Sequence, residues 1–164
     1  MSKRMVRLVA VCVALSAVTS VLGAQAPVDE QAVAKEVAAA LKEYHRLFSS
    51  KKADEMSVKG YAAPLVSLGR NNYTVWSTRK DVENYAQNLV TRLQSEGWDR
   101  SDMPSPTICV LTPTSAIASG DFVRYRKDGS VIGRYGNAYV FSKGADGWRV
   151  VAMLAHQAGK ALKC

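Results

Sequence analysis

The last third of the chain holds most of the side chains that could do chemistry. His156 closes the apolar run Trp148 to His156, and an imidazole near neutral pH can act as a general acid or base. Tyr135 could supply a hydrogen bond beside it. Asn137 is out of character for a strand interior, and if buried it needs partners. A ligand could supply them, or the backbone at a neighbouring glycine bend. Arg124 could take a carboxylate, or reach solvent at the end of the sheet. Phe122, Tyr139 and Trp148 suit the apolar walls of a ligand site with a few converging polar groups, and they suit a core equally. His45 follows Tyr44 on the flank of a helical stripe and reads as a surface residue. The two histidines have no cysteine or carboxylate at ligand spacing, so no metal site is expected. No glycine-rich phosphate loop or nucleophile elbow is present, and no cofactor is expected.

A ladder of strands must position these residues. Thr107 to Thr112, Ser115 to Arg126, Val131 to Ser142 and Trp148 to His156 read as four antiparallel strands. Asp128-Gly129 is a strong hairpin signal, because both residues of a two-residue loop take positive φ. It pairs Phe122 with Tyr135. The turn Gly144 to Gly147 pairs Lys143 with Trp148, hence Asn137 with Leu154 and Tyr135 with His156. Alternation then puts Phe122, Arg124, Tyr135, Asn137, Tyr139, Trp148 and His156 on one aromatic face. Asp121, Val123, Arg134, Val151 and Met153 fall on the other. Gly120, Gly133 and Gly136 mark bends, with a bulge expected at Gly120.

Two amphipathic helices precede the ladder. Val33, Val37, Leu41, Tyr44 and Phe48 form one apolar stripe over residues 29 to 50. Val82, Tyr85, Leu89 and Leu93 form the second, over 78 to 96, with Thr78 and Asp81 as a capping box and Gly97 as the stop. Tyr61 to Leu68 reads as a short strand, and Pro64 makes it an edge or a strand start.

The first residues are an address. Lys3, Arg4 and Arg7 precede an apolar core, Leu8 to Val18, too short to span a bilayer, so residues 1–24 read as a signal peptide. A periplasmic or secreted protein follows, with one domain over 25–158 and a tail over 159–164. Removal of the segment takes three of the 22 Lys+Arg and leaves 19 against 14 Asp+Glu, a net +5. That charge is scattered, which argues against nucleic acid, and no second apolar run reaches membrane length. Cys109 and Cys164 remain, and an oxidising compartment favours a bridge that staples the tail to the sheet. The alternative is two thiols, with Cys109 a small core residue.

The order helix, strand, helix and bent meander resembles the nuclear transport factor 2-like superfamily, which includes ketosteroid isomerase, SnoaL-type cyclases and scytalone dehydratase. Gly147-Trp148-Arg149-Val150-Val151 is similar to the family's last strand, Asp128-Gly129 opens the preceding one, and the likeness spans Val33 to His156. It implies an α+β cone, a strongly bent antiparallel sheet of four to six strands wrapped around two long helices. It also implies a cavity on the concave face and a homodimer. The isomerase's catalytic acids do not carry over, since no acid falls on the aromatic face. Three functions follow. The first is a binder of a small, partly apolar ligand. The second is an isomerase-, dehydratase- or cyclase-type enzyme using His156 and Tyr135. The third is an interaction scaffold in the cell envelope.

Overall fold

A computed structural model describes residues 28–69 and 71–164, so residues 1–24, expected to be a signal peptide, lie outside the described residues. Helix α1 spans Glu30–Ser49, and Asp29 caps it by accepting the Ala32 N–H at 3.0 Å. A short turn, α2 (Ala53–Glu55), runs on as a π-turn to Gly60 and delivers β1 (Tyr61–Leu68). Strand β2 (Tyr73–Trp76) and helix α3 (Arg79–Ser95) follow. The expected capping box is present on α3: the Asp81 carboxylate accepts the Thr78 N–H, and the Thr78 hydroxyl accepts the Asp81 N–H. Gly97 ends α3 with φ 77°. The ladder is β3 (Arg100–Asp102), β4 (Thr107–Thr112), β5 (Ser115–Tyr125), β6 (Val131–Gly144) and β7 (Gly147–His156).

These form a seven-stranded α+β cone in the order β2-β1-β7-β6-β5-β3, with β4 also on β5. The sheet is mixed, because β1 runs parallel to β7. Pro64 does not put β1 at an edge. Its missing N–H falls between Tyr61 and Val66, where the pairing to β7 is interrupted, and β2 pairs from Leu65 onward. Strands β2 and β3 carry no signal in the sequence, since at four and three residues they are too short to show a period.

The concave face and the helices share one core. The α1 stripe Val33, Val37, Leu41, Tyr44 and Phe48 is buried with Val82, Ala86, Val90 and Leu93 of α3 and with Tyr61, Leu65, Phe141 and Val150 of the sheet. Each fully buried large side chain contributes about 1.5–3 kcal/mol by leaving water. On α3 the buried line runs through Ala86 and Val90, while Tyr85 and Leu89 lie at its margin.

The register is where expectation and structure part. Phe122 pairs with Tyr135 as read. The turn itself is longer: Arg126 N–H donates to Ser130, and Gly129 has φ 84° while Asp128 does not take positive φ. An unpaired Ile132 offsets the added turn residue and restores the pairing. Gly120 is not a bulge. It pairs regularly with Asn137, and a Cβ there would lie 3.1 Å from the Met103 sulfur, so the glycine admits the loop after β3 onto the sheet. The consequential bulge is Val151. Phe141 pairs with Val150 but Val140 with Ala152, so Asn137 faces Ala155 and His156 faces Gly136. Met153 and Ala155 thereby turn to the concave face, and Leu154 and His156 to the outer one.

Residues after His156 cross the outer face. Gly159 N–H donates to both carboxylate oxygens of Asp121 at 3.0 and 2.9 Å, and Leu162 N–H donates to the Ser119 hydroxyl at 3.0 Å. Cys164 is bonded to Cys109 on β4. Thiol titration of the unfolded, unreduced chain lacking residues 1–24 is expected to find no free thiol. Reduction, or Cys164→Ser, should lower the unfolding free energy by about 2–4 kcal/mol in urea melts.

Candidate functional site

Between α1, α3 and the concave sheet lies a cavity of about 570 Å³. Tyr44, His45 and Phe48 enter from α1, Tyr85 and Leu89 from α3, and Phe122, Arg124, Tyr135, Asn137, Tyr139 and Met153 from the sheet. Its mouth lies where the exposed Arg92, Arg134 and Gln157 reach the wall. A second cavity of about 640 Å³ lies beside it, toward Met103 and Pro106, and the two share His45 and Ser101.

The deep wall is a tyrosine cluster. The hydroxyls of Tyr44 and Tyr61 are 2.8 Å apart, and the Tyr139 ring stands 5.1 Å from that of Tyr44. Tyr85 lies against Trp76, ring centroids 4.0 Å apart. Burial holds the Tyr44 and Tyr61 phenols well above their ordinary range, raises Tyr139, and pushes Tyr85 up to about 12. All four are protonated at neutral pH, and Tyr44, Tyr85 and Tyr139 line the cavity as neutral groups while Tyr61 lies behind them.

His45 is the unusual member. It is 8% exposed, edge-on to the rings of Tyr44 and Tyr139, and neither ring nitrogen has a hydrogen-bond partner. Burial lowers its pKa to about 4 against a smaller opposing pull from Asp102, so the ring is neutral at pH 7. A neutral imidazole with both nitrogens unused offers one donor and one acceptor. Arg124 lies over two rings, 4.8 Å from the centroid of Tyr135 and 5.4 Å from that of Phe122, and its Nε is buried without a partner. Gly133, opposite Arg124, has no side chain, and the Tyr135 hydroxyl folds back to within 2.6 Å of where a Cβ would be.

Of the residues singled out in the sequence, Phe122, Arg124, Tyr135, Asn137 and Tyr139 meet at this cavity. Trp148 does not. It starts β7 while His156 ends it, about 26 Å along the strand at 3.3 Å per residue. Its indole instead donates to Glu36 on α1 at 2.8 Å, an acid that also takes Lys143. His156 reaches only the rim. Because of the Val151 bulge its ring lies on the outer face over Gly136, with Nε2 3.2 Å from the Ser119 hydroxyl and Nδ1 2.8 Å from the Gln157 carbonyl. It is not paired with Tyr135. The surface reading of His45 is also corrected. It lies four residues after Leu41 and three before Phe48, a spacing that places it on the buried face, and widening the stripe by one position would have found it.

The folded pKa of His45 lies below the value of about 6.5 in the unfolded chain, so its contribution is present above pH 6.5 and is lost as pH falls through 4. Denaturant melts should show a loss on the order of 3 kcal/mol between these pH values. His45→Leu should remove that part of the slope; an unchanged slope would mean that the ring takes up its proton as readily in the fold as in the unfolded chain.

The family described as "NTF2-like protein (DUF6841)" matches residues 35–158. Among solved structures, an NTF2-like protein with a cystatin-like fold from Novosphingobium aromaticivorans superposes with a TM-score of 0.61 at 16% identity, covering 77% of this chain and 82% of its own. A putative calcium/calmodulin-dependent protein kinase II association domain from Xanthomonas campestris gives 0.58 at 18%, covering 77% and 88%. A nuclear transport factor 2-like superfamily protein from Salmonella enterica gives 0.58 at 16%, covering 80% and 94%. Comparison with curated proteins gives no match. Identities this low carry the fold alone. The family match spans the helices, the cone and the cavity wall together, and by that match the chain belongs to the NTF2-like protein family DUF6841.

Proposed function

We propose that this chain is an exported domain that holds a small, partly apolar ligand in the cavity between its helices and the concave sheet. One observation carries the reading: His45 is buried in the cavity wall with both ring nitrogens unpartnered. A buried polar group without a partner costs on the order of 1–3 kcal/mol, and a ligand that supplies the partners recovers it. The walls fit the same role. Phe122, Tyr139 and Met153 give apolar area, while Asn137 and His45 fix orientation. The Cys109–Cys164 bridge supports export, because structural disulfides persist in oxidising compartments. The family likeness supports a homodimer as part of this proposal.

An acid–base enzyme built on His156 and Tyr135 has less support, since the His156 ring is engaged on the outer face by Ser119 and Gln157.

Native mass spectrometry of the protein purified gently from its own envelope tests the proposal. The expected spectrum shows added mass that leaves on mild activation, and it reads the subunit count at once. Asn137→Leu should weaken retention on the order of tenfold, the equivalent of one hydrogen bond in the cavity. Bare protein from several independent preparations, with wild type and Asn137→Leu alike, would sink it.

A further inference from the structure

The cavity wall has a sign. Three arginines line it, Arg92 and Arg134 at the mouth and Arg124 further in, and among the described residues no aspartate or glutamate does. Arg92 pairs with Glu96 at 3.5 Å. Among the described residues Arg124 and Arg134 form no ion pair within 4 Å. Arg124 stands apart because its Nε is buried and unpartnered, whereas an exposed guanidinium fills its donors with water. Position and orientation are both set by neighbours. The Phe122 and Tyr135 rings stack with centroids 5.2 Å apart and hold the guanidinium over them by cation–π attraction. Gly133 leaves the space into which Tyr135 folds to do this. Attraction through the rings uses none of the in-plane N–H donors, so the Nε edge keeps its fork geometry for a planar two-oxygen acceptor.

We infer that the ligand is a small-molecule carboxylate, its two oxygens gripped by Arg124 and its apolar body lying along Phe122, Tyr139 and Met153. This rests on the cavity reading above and adds the chemical class. Arg124 is half-buried with its Nε held against the aromatic wall without an acceptor, and a monoanion supplies one. The protonated phenols of the deep wall and the neutral His45 add donors and no negative charge, so nothing there repels an anion. Asp102 is the nearest acid acting on His45, and it lines the second cavity, beyond that ring.

The test compares 3-phenylpropionate with 3-phenylpropionamide, equal in shape and different in charge, by chemical-shift titration of the full mature protein. The expected result is shifts at Arg124, Asn137 and Tyr139 with the acid bound on the order of tenfold tighter than the amide, a difference reduced to near unity in Arg124→Gln. Arg124→Lys, which keeps the charge and loses the fork, should recover part of the preference and serves as the second variant if Arg124→Gln does not fold. Equal binding of acid and amide at these residues, or a preference that survives Arg124→Gln, overturns the carboxylate assignment while leaving the cavity reading standing. Absence of cavity shifts with either probe also overturns it, and the cavity reading then falls or stands on the native mass spectrum alone.

Discussion

An antiparallel strand has two faces, and one extra residue exchanges them. Val151 is that residue in β7. Without it, Leu154 and His156 would point at the helices and Met153 at solvent. With it, the thioether of Met153 and the small Ala155 line the cavity, and the imidazole of His156 packs over Gly136 of β6, where the missing side chain leaves room for a ring. The wall is therefore smooth and apolar where a charged or titrating group would otherwise stand. The tail's path across the outer face begins from the same turn of register.

The helix side imposes the opposite condition. Tyr44, His45 and Phe48 lie within one and a half turns of α1, and the sheet curves away from them instead of closing on them. The π-turn Met56–Gly60 fixes where β1 starts, and Gly60 permits the Tyr44 ring to approach within 3.2 Å of its Cβ position. Arg79 donates from the first turn of α3 to the carbonyls of Ser57 and Tyr61, so the turn is held from both helices. These contacts hold the helices apart, and their apolar stripes share a core through the sheet.

The helices were legible because a period of 3.6 sustained over four or five turns is hard to imitate, and their caps are local chemistry. The hairpin turns were legible from Asp128-Gly129 and from Gly147. The pairing of Phe122 with Tyr135 was reached although the turn conformation was not, since Ile132 cancels the difference. The Val151 bulge was not legible. It is the second of two adjacent valines, Val150 and Val151, with no glycine to mark it, and a continuous strand has the same local propensity. Everything read downstream of it in β7 was therefore one residue out. That error exchanged His156 for Met153 and Ala155, while His45 was missed separately, because the helical stripe was drawn one position too narrow.

The bond between Cys109 and Cys164 closes a covalent ring with a sequence separation of 55 that contains the outer part of β4 and all of β5, β6 and β7, while α1, α3, β1 and β2 remain outside it. The ring fastens the ladder to itself at both ends, so strand peeling from the C-terminus leads nowhere. Amide exchange should accordingly be slowest within the ring, and sub-global opening is drawn from the helices and the β1–β2 edge. The sheet is the fixed half of the cavity, so any widening at the mouth formed by Arg92, Arg134 and Gln157 is drawn from α3 and not from the strands.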